Sequence, residues 1–143
     1  MKEKIREYAV SLGFDVVGFT TSDSFDRDER EALKRVDDNY MAGLPWYTKE
    51  RVRKMNRPAA LLNGARSVIS LATSYLSGEP EPPSKVEGRV ARYAWGDDYH
   101  QILKKKLRNF CSGLRVLAGG PVKTRIFVDD GPMNDRAAAN RSG

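Results

Sequence analysis

The sequence predicts one α+β domain spanning residues 1–143, a mixed sheet flanked by helices. Three observations carry that expectation. Short apolar, β-branched runs recur near residues 15–20, 67–75 and 122–128; helical apolar spacing separates them; and Gly or Pro stands at most junctions. A length of 143 residues matches about one domain, and no repeat or linker divides it. Hydrophobic residues make up 40%, enough for a packed core.

Ile5, Tyr8, Ala9 and Leu12 fall at i, i+3, i+4, i+7, an amphipathic helix that Gly13 closes. Asp15 to Thr20 then reads as a short buried strand. Asp26 to Met41 is mostly charged, with Leu33, Val36, Tyr40 and Met41 at helical spacing, so a second surface helix is expected, broken by Gly43-Leu44-Pro45. Trp46 and Tyr47 precede a basic segment that Pro58 ends, before a short turn at Leu61-Leu62. Ser67 to Tyr75 is apolar on both parities, which fits a central strand covered on both faces. Gly78-Glu79-Pro80-Glu81-Pro82-Pro83-Ser84 reads as a flexible loop, and Arg89 to Tyr93 as a resumed strand. Asp97 or Asp98 caps a long helix with Tyr99, Ile102, Leu103, Phe110, Leu114 and Leu117 on its buried stripe, and Gly119-Gly120-Pro121 stops it. Val122, Thr124, Ile126 and Val128 alternate with Lys123, Arg125 and Phe127, a half-buried strand. Asp135 to Arg141 is a last helix, too short to be stable alone, and the chain is expected to be the N-terminal piece of a longer protein.

Composition narrows the function classes. No apolar run approaches the ~18 residues of a membrane span, and the charged N-terminus has no signal-peptide pattern, so a soluble, cytoplasmic domain is expected. The single cysteine, Cys111, excludes a disulfide framework and any thiolate-held zinc or iron–sulfur site built by these residues alone; on the helix stripe it reads as a small buried hydrophobe. Net charge is +6. Lys49, Arg51, Arg53, Lys54 and Arg57 form one basic cluster, and Lys104, Lys105, Lys106 and Arg108 a second. Both fit solvated helix faces, and both fit a phosphate-contacting surface.

Candidate chemistry is concentrated late in the chain. Asp129 ends the last strand before Gly131-Pro132, where a carboxyl group can serve as a general acid or simply form an Asx-turn or helix cap. His100 is the only histidine, which supports neither a metal site nor a charge-relay triad. The glycines form no dinucleotide or P-loop pattern. Arg92 to His100 packs three aromatics, a histidine, two carboxylates and an arginine around Gly96. Such density fits a flat ligand held on aromatic faces, or an aromatic hinge plugging the core.

Five stretches, in order, carry a family resemblance: Leu12 to Thr21; Pro58 through Leu61-Leu62-Asn63-Gly64-Ala65-Arg66-Ser67-Val68-Ile69; Ala91 through Gly96-Asp97-Asp98-Tyr99-His100; Phe127-Val128-Asp129; and Asp135-Arg136-Ala137. The chain resembles the N-terminal, cobalamin-binding domain of the epoxyqueuosine reductase (QueG) family, over essentially its whole length. The resemblance implies a nitroreductase-like core like that of cobalamin-processing proteins, and an oxidoreductase acting on epoxyqueuosine in tRNA to give queuosine. It implies cobalamin here and two [4Fe–4S] clusters in a following ferredoxin-like domain, fed by an electron donor, in a cytoplasmic protein expected to be monomeric. It also implies Asp129 as proton donor, with cobalamin contacts at Ala91 through main-chain atoms, at Asn134, and at Arg51 or Arg57, and no histidine on cobalt. Asp130-Gly131 departs from the pairs usual after that aspartate, and Asp97 replaces a frequent basic residue. Two other functions stay open: a stand-alone cobalamin- or RNA-binding module, and a reductive dehalogenase-like enzyme, disfavoured by the missing export signal.

Overall fold

The computed structural model describes residues 1–76, 78 and 88–143. Helix α1 (Lys2–Ser11) leads into strand β1 (Val16–Thr21), followed by α2 (Asp26–Asp37), α3 (Lys49–Met55), α4 (Pro58–Leu61) and strand β2 (Ser67–Ala72). A 3-10 turn at Arg92–Ala94 precedes α5 (Tyr99–Ala118), and α6 (Asp135–Ser142) comes last. The two strands pair antiparallel, Val16 opposite Ala72 through Thr21 opposite Ser67.

This ribbon is covered on both faces, as its apolar residues on both parities predict. Val17, Phe19, Ile69 and Leu71 pack with Ala9, Phe14, Phe110 and Leu114 beneath α1 and α5. On the other face Val68 packs with Phe25, Leu61, Met133, Ala137 and Ala138 around α6. Helices α1 and α5 cross closely at Gly113, where a Cβ would stand 2.1 Å from the Tyr8 ring. Helix α6 gains from tertiary contacts the stability its length denies it. Arg141 donates to Thr20 Oγ1 at 2.9 Å and to the carbonyls of Ser24, Thr21 and Asp23, and lies 4.0 Å from the centre of the Phe25 ring.

The elements differ from the sequence expectation in five places. Helix α2 stops at Asp37 rather than Met41: Asn39 takes φ +60, and Tyr40 is 75% exposed, so no apolar stripe holds the last turn. β2 ends at Ala72 and, among the described residues, pairs only with β1, so the sheet is antiparallel rather than mixed and β2 is not central. Residues 89–93 form no strand; Val90 is exposed, and the chain tightens into the 3-10 turn. Residues 122–126 show the expected burial alternation, Phe127 is part-buried against the core instead of exposed, and the segment forms no ladder. Ile102 is exposed rather than on the buried stripe of α5. Of the expected loop at 78–84, all but Gly78 lies outside the described residues. No helix among the described residues is long and apolar enough to cross a membrane.

Candidate active site

Buried Val128 leads into a bend that places Asp129 in the left-handed region at φ +54, which aspartate tolerates better than most residues with a side chain. The residues around it are tied down. The Val128 N–H donates to Asp130 Oδ1 at 3.2 Å, and the Asp130 carboxylate pairs with Lys104 of α5. Lys104 first, then the Val128 N–H, holds the Asp130 carboxyl below its ordinary range. A Cβ on Gly131 would stand 2.3 Å from Cδ1 of Phe127, so the bend closes against that ring only with glycine there.

The far side of the bend is pinned to the end of α3. The Asn134 N–H donates to the Met55 carbonyl at 3.0 Å, and its amide donates to Asn56 Oδ1 at 2.7 Å. Asn56 is fully buried and donates in turn to the Val52 carbonyl at 2.9 Å. Asn134 also caps α6, accepting from the Ala137 N–H at 3.1 Å. Asn56 is a site-building residue that the sequence pattern missed, because its partner Asn134 is far away along the chain.

Helix α5 presents its first turn to Asp129. Asp98 caps it, accepting from the His100 N–H at 3.0 Å, and lies 2.8 Å from His100 Nδ1. These contacts, the side-chain one first, lower the Asp98 carboxyl below 3.8. The Tyr99 hydroxyl donates to Asp129 Oδ2 at 3.1 Å. Partial burial, and then this bond to Asp129, push the Tyr99 phenol above its usual 10, so it stays a donor at neutral pH. Asp135 stands near enough that desolvation first, and the charge of Asp129 second, raise its carboxyl.

Exposed aromatics surround this centre. Tyr99 meets Tyr93 edge-on at 6.0 Å, and Tyr93 meets Tyr75 at 6.5 Å. Tyr93 is 54% exposed and Trp95 41%, so the aromatic segment is not a hinge plugging the core. Ala91 is exposed and starts the 3-10 turn, accepting from the Ala94 N–H at 2.9 Å. On the other side of the bend, Asp130, Gly131 and Pro132 share a hollow of about 310 Å³ with Trp46, Arg51 and Lys54. The Arg51 guanidinium lies 4.8 Å from the Trp46 ring centre. Arg57, the alternative to Arg51, is instead engaged by nearly buried Glu29 through paired bonds of 2.9 and 2.6 Å.

Thus Arg51 and Asn134 both stand beside the Asp129 bend, whereas Ala91 is linked to it only along the segment that carries Tyr93 and Tyr99. The basic clusters are partly used internally: Lys49 pairs with Asp37, Arg57 with Glu29 and Lys104 with Asp130, while Lys106 donates to the Gly13 carbonyl at 3.0 Å. Cys111 is half-buried. Among the described residues no group of His, Cys, Asp and Glu is arranged to hold a metal ion.

Known proteins resemble the chain over its whole length. The chain is 32% identical over 147 aligned residues to the epoxyqueuosine reductase of Bacillus subtilis, covering all of this chain and 37% of that protein. It is also similar to a solved epoxyqueuosine reductase bound to an epoxyqueuosine-modified tRNA stem loop, with a TM-score of 0.85 and 33% identity over 99% of this chain and 38% of that one. A Bacillus subtilis epoxyqueuosine reductase, solved with its catalytic aspartate loop swung out of the active site, superposes with a TM-score of 0.76 at 30% identity, covering 99% of this chain and 37% of that one. The chain therefore spans well under half the length of these relatives. The family model for epoxyqueuosine reductase QueG, DUF1730, matches residues 56–130, more than half of the chain, and the chain belongs to that family.

Proposed function

We propose that residues 1–143 form the N-terminal, cobalamin-binding part of an enzyme that reduces epoxyqueuosine to queuosine in tRNA, with Asp129 as proton donor. The observation that carries this is the Asp129 bend itself: a strained carboxylate, anchored on both sides, hydrogen-bonded by Tyr99 and flanked by exposed aromatics and Arg51. The catalytic loop named for the Bacillus subtilis relative also carries an aspartate, which supports reading Asp129 as its counterpart. The relative bound to a modified tRNA stem loop supports tRNA as the partner.

The residues present suit a large, flat, amide-rimmed group. Arg51 makes no ion pair among the described residues and offers its guanidinium edge; Ala91 offers exposed main chain; Tyr93 and Trp95 offer ring faces. Arg51 rather than Arg57 is the cofactor arginine, because leaving Glu29 buried without Arg57 would be costly. Asn134 contributes chiefly by position, since both ends of its amide already have partners within the protein. When bound, cobalamin supplies the two reducing electrons.

Removing the epoxide oxygen breaks two C–O bonds, forms one C=C bond and releases water, which requires two electrons and two protons. Asp129 gives one proton to the departing oxygen, and solvent supplies the second. Tyr99 orients the acceptor oxygen of the Asp129 carboxyl. The nitroreductase-like core, the [4Fe–4S] clusters of a following domain, their electron donor, a monomeric state and a cytoplasmic location belong to the same proposal. A chimera in which residues 1–143 replace the matching part of the Bacillus subtilis enzyme tests it. It is expected to convert epoxyqueuosine in a tRNA stem loop to queuosine, read by mass spectrometry of the nucleosides. A chimera that folds and binds cobalamin without any conversion contradicts the reading.

A further inference from the structure

A cleft of about 460 Å³ runs between β2 and the extended segment 122–128. Its walls are unusual. Residues 67–71 of β2 line it without a gap, and so do residues 122–128. A strand that shows a cavity only one face lines it with alternate residues; consecutive residues on both sides mean that two strand edges look into the space. Among the described residues β2 has no partner on that edge, and no backbone group of 122–127 bonds to another backbone group. Backbone N–H and C=O groups next to apolar surface are costly when left unpaired. Nevertheless 122–126 keeps the burial alternation of a strand within a sheet.

The cleft is roofed from both sides. Leu103, Leu107, Phe110 and Leu114 of α5 line it, and so do Met133 and Ala138 at α6. These are the layers that cover the two faces of the β1–β2 ribbon.

We infer that this cleft is the seat of one more β-strand, which pairs with β2 on one side and with residues 122–128 on the other. The occupant is a strand from the portion of the polypeptide that the relatives carry outside the matched part, which is most of their length. Because both faces are roofed by apolar helices, the strand is apolar on both parities, a continuous Val/Ile/Leu-type run rather than an alternating one. Its insertion turns 122–128 into a true strand and carries hydrogen bonding across to the segment that ends in Asp129. The inference stands independently of cobalamin or tRNA chemistry.

Hydrogen exchange of the chimera described above, compared with the 143-residue chain, reads it directly. In the chimera the amides of 122–127 are expected to exchange at least about 100-fold more slowly than those of the exposed bend at 38–43, and in the isolated chain to lose that protection. Fast exchange of 122–127 in the chimera contradicts the inference whatever the isolated chain does, as does equal protection in a monomeric isolated chain. A photo-crosslinking amino acid in place of Thr124 in the chimera identifies the occupant. A crosslink to an apolar run of the same polypeptide supports the inference. A crosslink to a second copy, or to a polar segment, overturns it.

Discussion

The two ends of α5 obey different rules. Its C-terminal half is conventional packing: Phe110 and Leu114 are buried against Phe14, Ala9 and the sheet, and Gly113 permits the close crossing with α1. Its N-terminal end is built from polar contacts: Asp98 with His100, Tyr99 with Asp129 and Lys104 with Asp130. One rigid element thus anchors itself at one end and orients the Asp129 bend with the other. Changes at the buried end should therefore cost stability, and changes at the exposed end should cost chemistry.

Phe110→Ala should have the largest effect on folding, about 3–5 kcal/mol by denaturant unfolding, because it empties the centre of the cluster beneath α1 and α5. A loss under 1 kcal/mol would mean that this end of α5 is not the anchor. Gly113→Ala should cost about 1–3 kcal/mol, since the added methyl meets the Tyr8 ring; pairing it with Tyr8→Ala should recover part of the loss. At the other end, Tyr99→Phe in the chimera should leave the melting temperature nearly unchanged and lower turnover about tenfold, the scale of one lost hydrogen bond. Tyr99 is a positioning residue, so the drop should come with a shifted pH–rate profile rather than a higher KM for tRNA.

The smallest effect concerns pH. The Asp98 carboxyl is depressed in the folded protein, so its contribution to capping α5 is fully present above 3.8 and is lost as pH falls through its lower folded value. Carbon-detected NMR titration should show Asp98 still ionised at pH 3.8. A midpoint above that value would remove the His100 contact from the account.

Much of the fold was legible because it is written in local spacing. The 3.6-residue stripe of α5, the Asp98 cap, the Gly119 stop and the short α6 all follow from neighbouring residues. The 122–128 segment shows where local reading ends. Its alternation predicts burial correctly through Ile126, but a ladder needs an edge within hydrogen-bonding reach, and among the described residues none bonds to it. At the site, Asp129 stood out by its place between a strand and a Gly-Pro pair. Arg51 and Arg57 could not be told apart by sequence, because Glu29, 28 residues before Arg57, decides which one is engaged. Asn56 was invisible for the same reason: its partner, Asn134, lies 78 residues away.

The central claim is that the Asp129 carboxyl gives up a proton during reduction. Asparagine tolerates a left-handed φ as readily as aspartate, so Asp129→Asn keeps the bend while removing the acid. Introduced into the chimera, it should leave cobalamin binding unchanged by absorbance titration and lower conversion of epoxyqueuosine by about 100-fold or more, the contribution of a positioned acid. Conversion at the unsubstituted rate, with cobalamin bound, would contradict that role for Asp129.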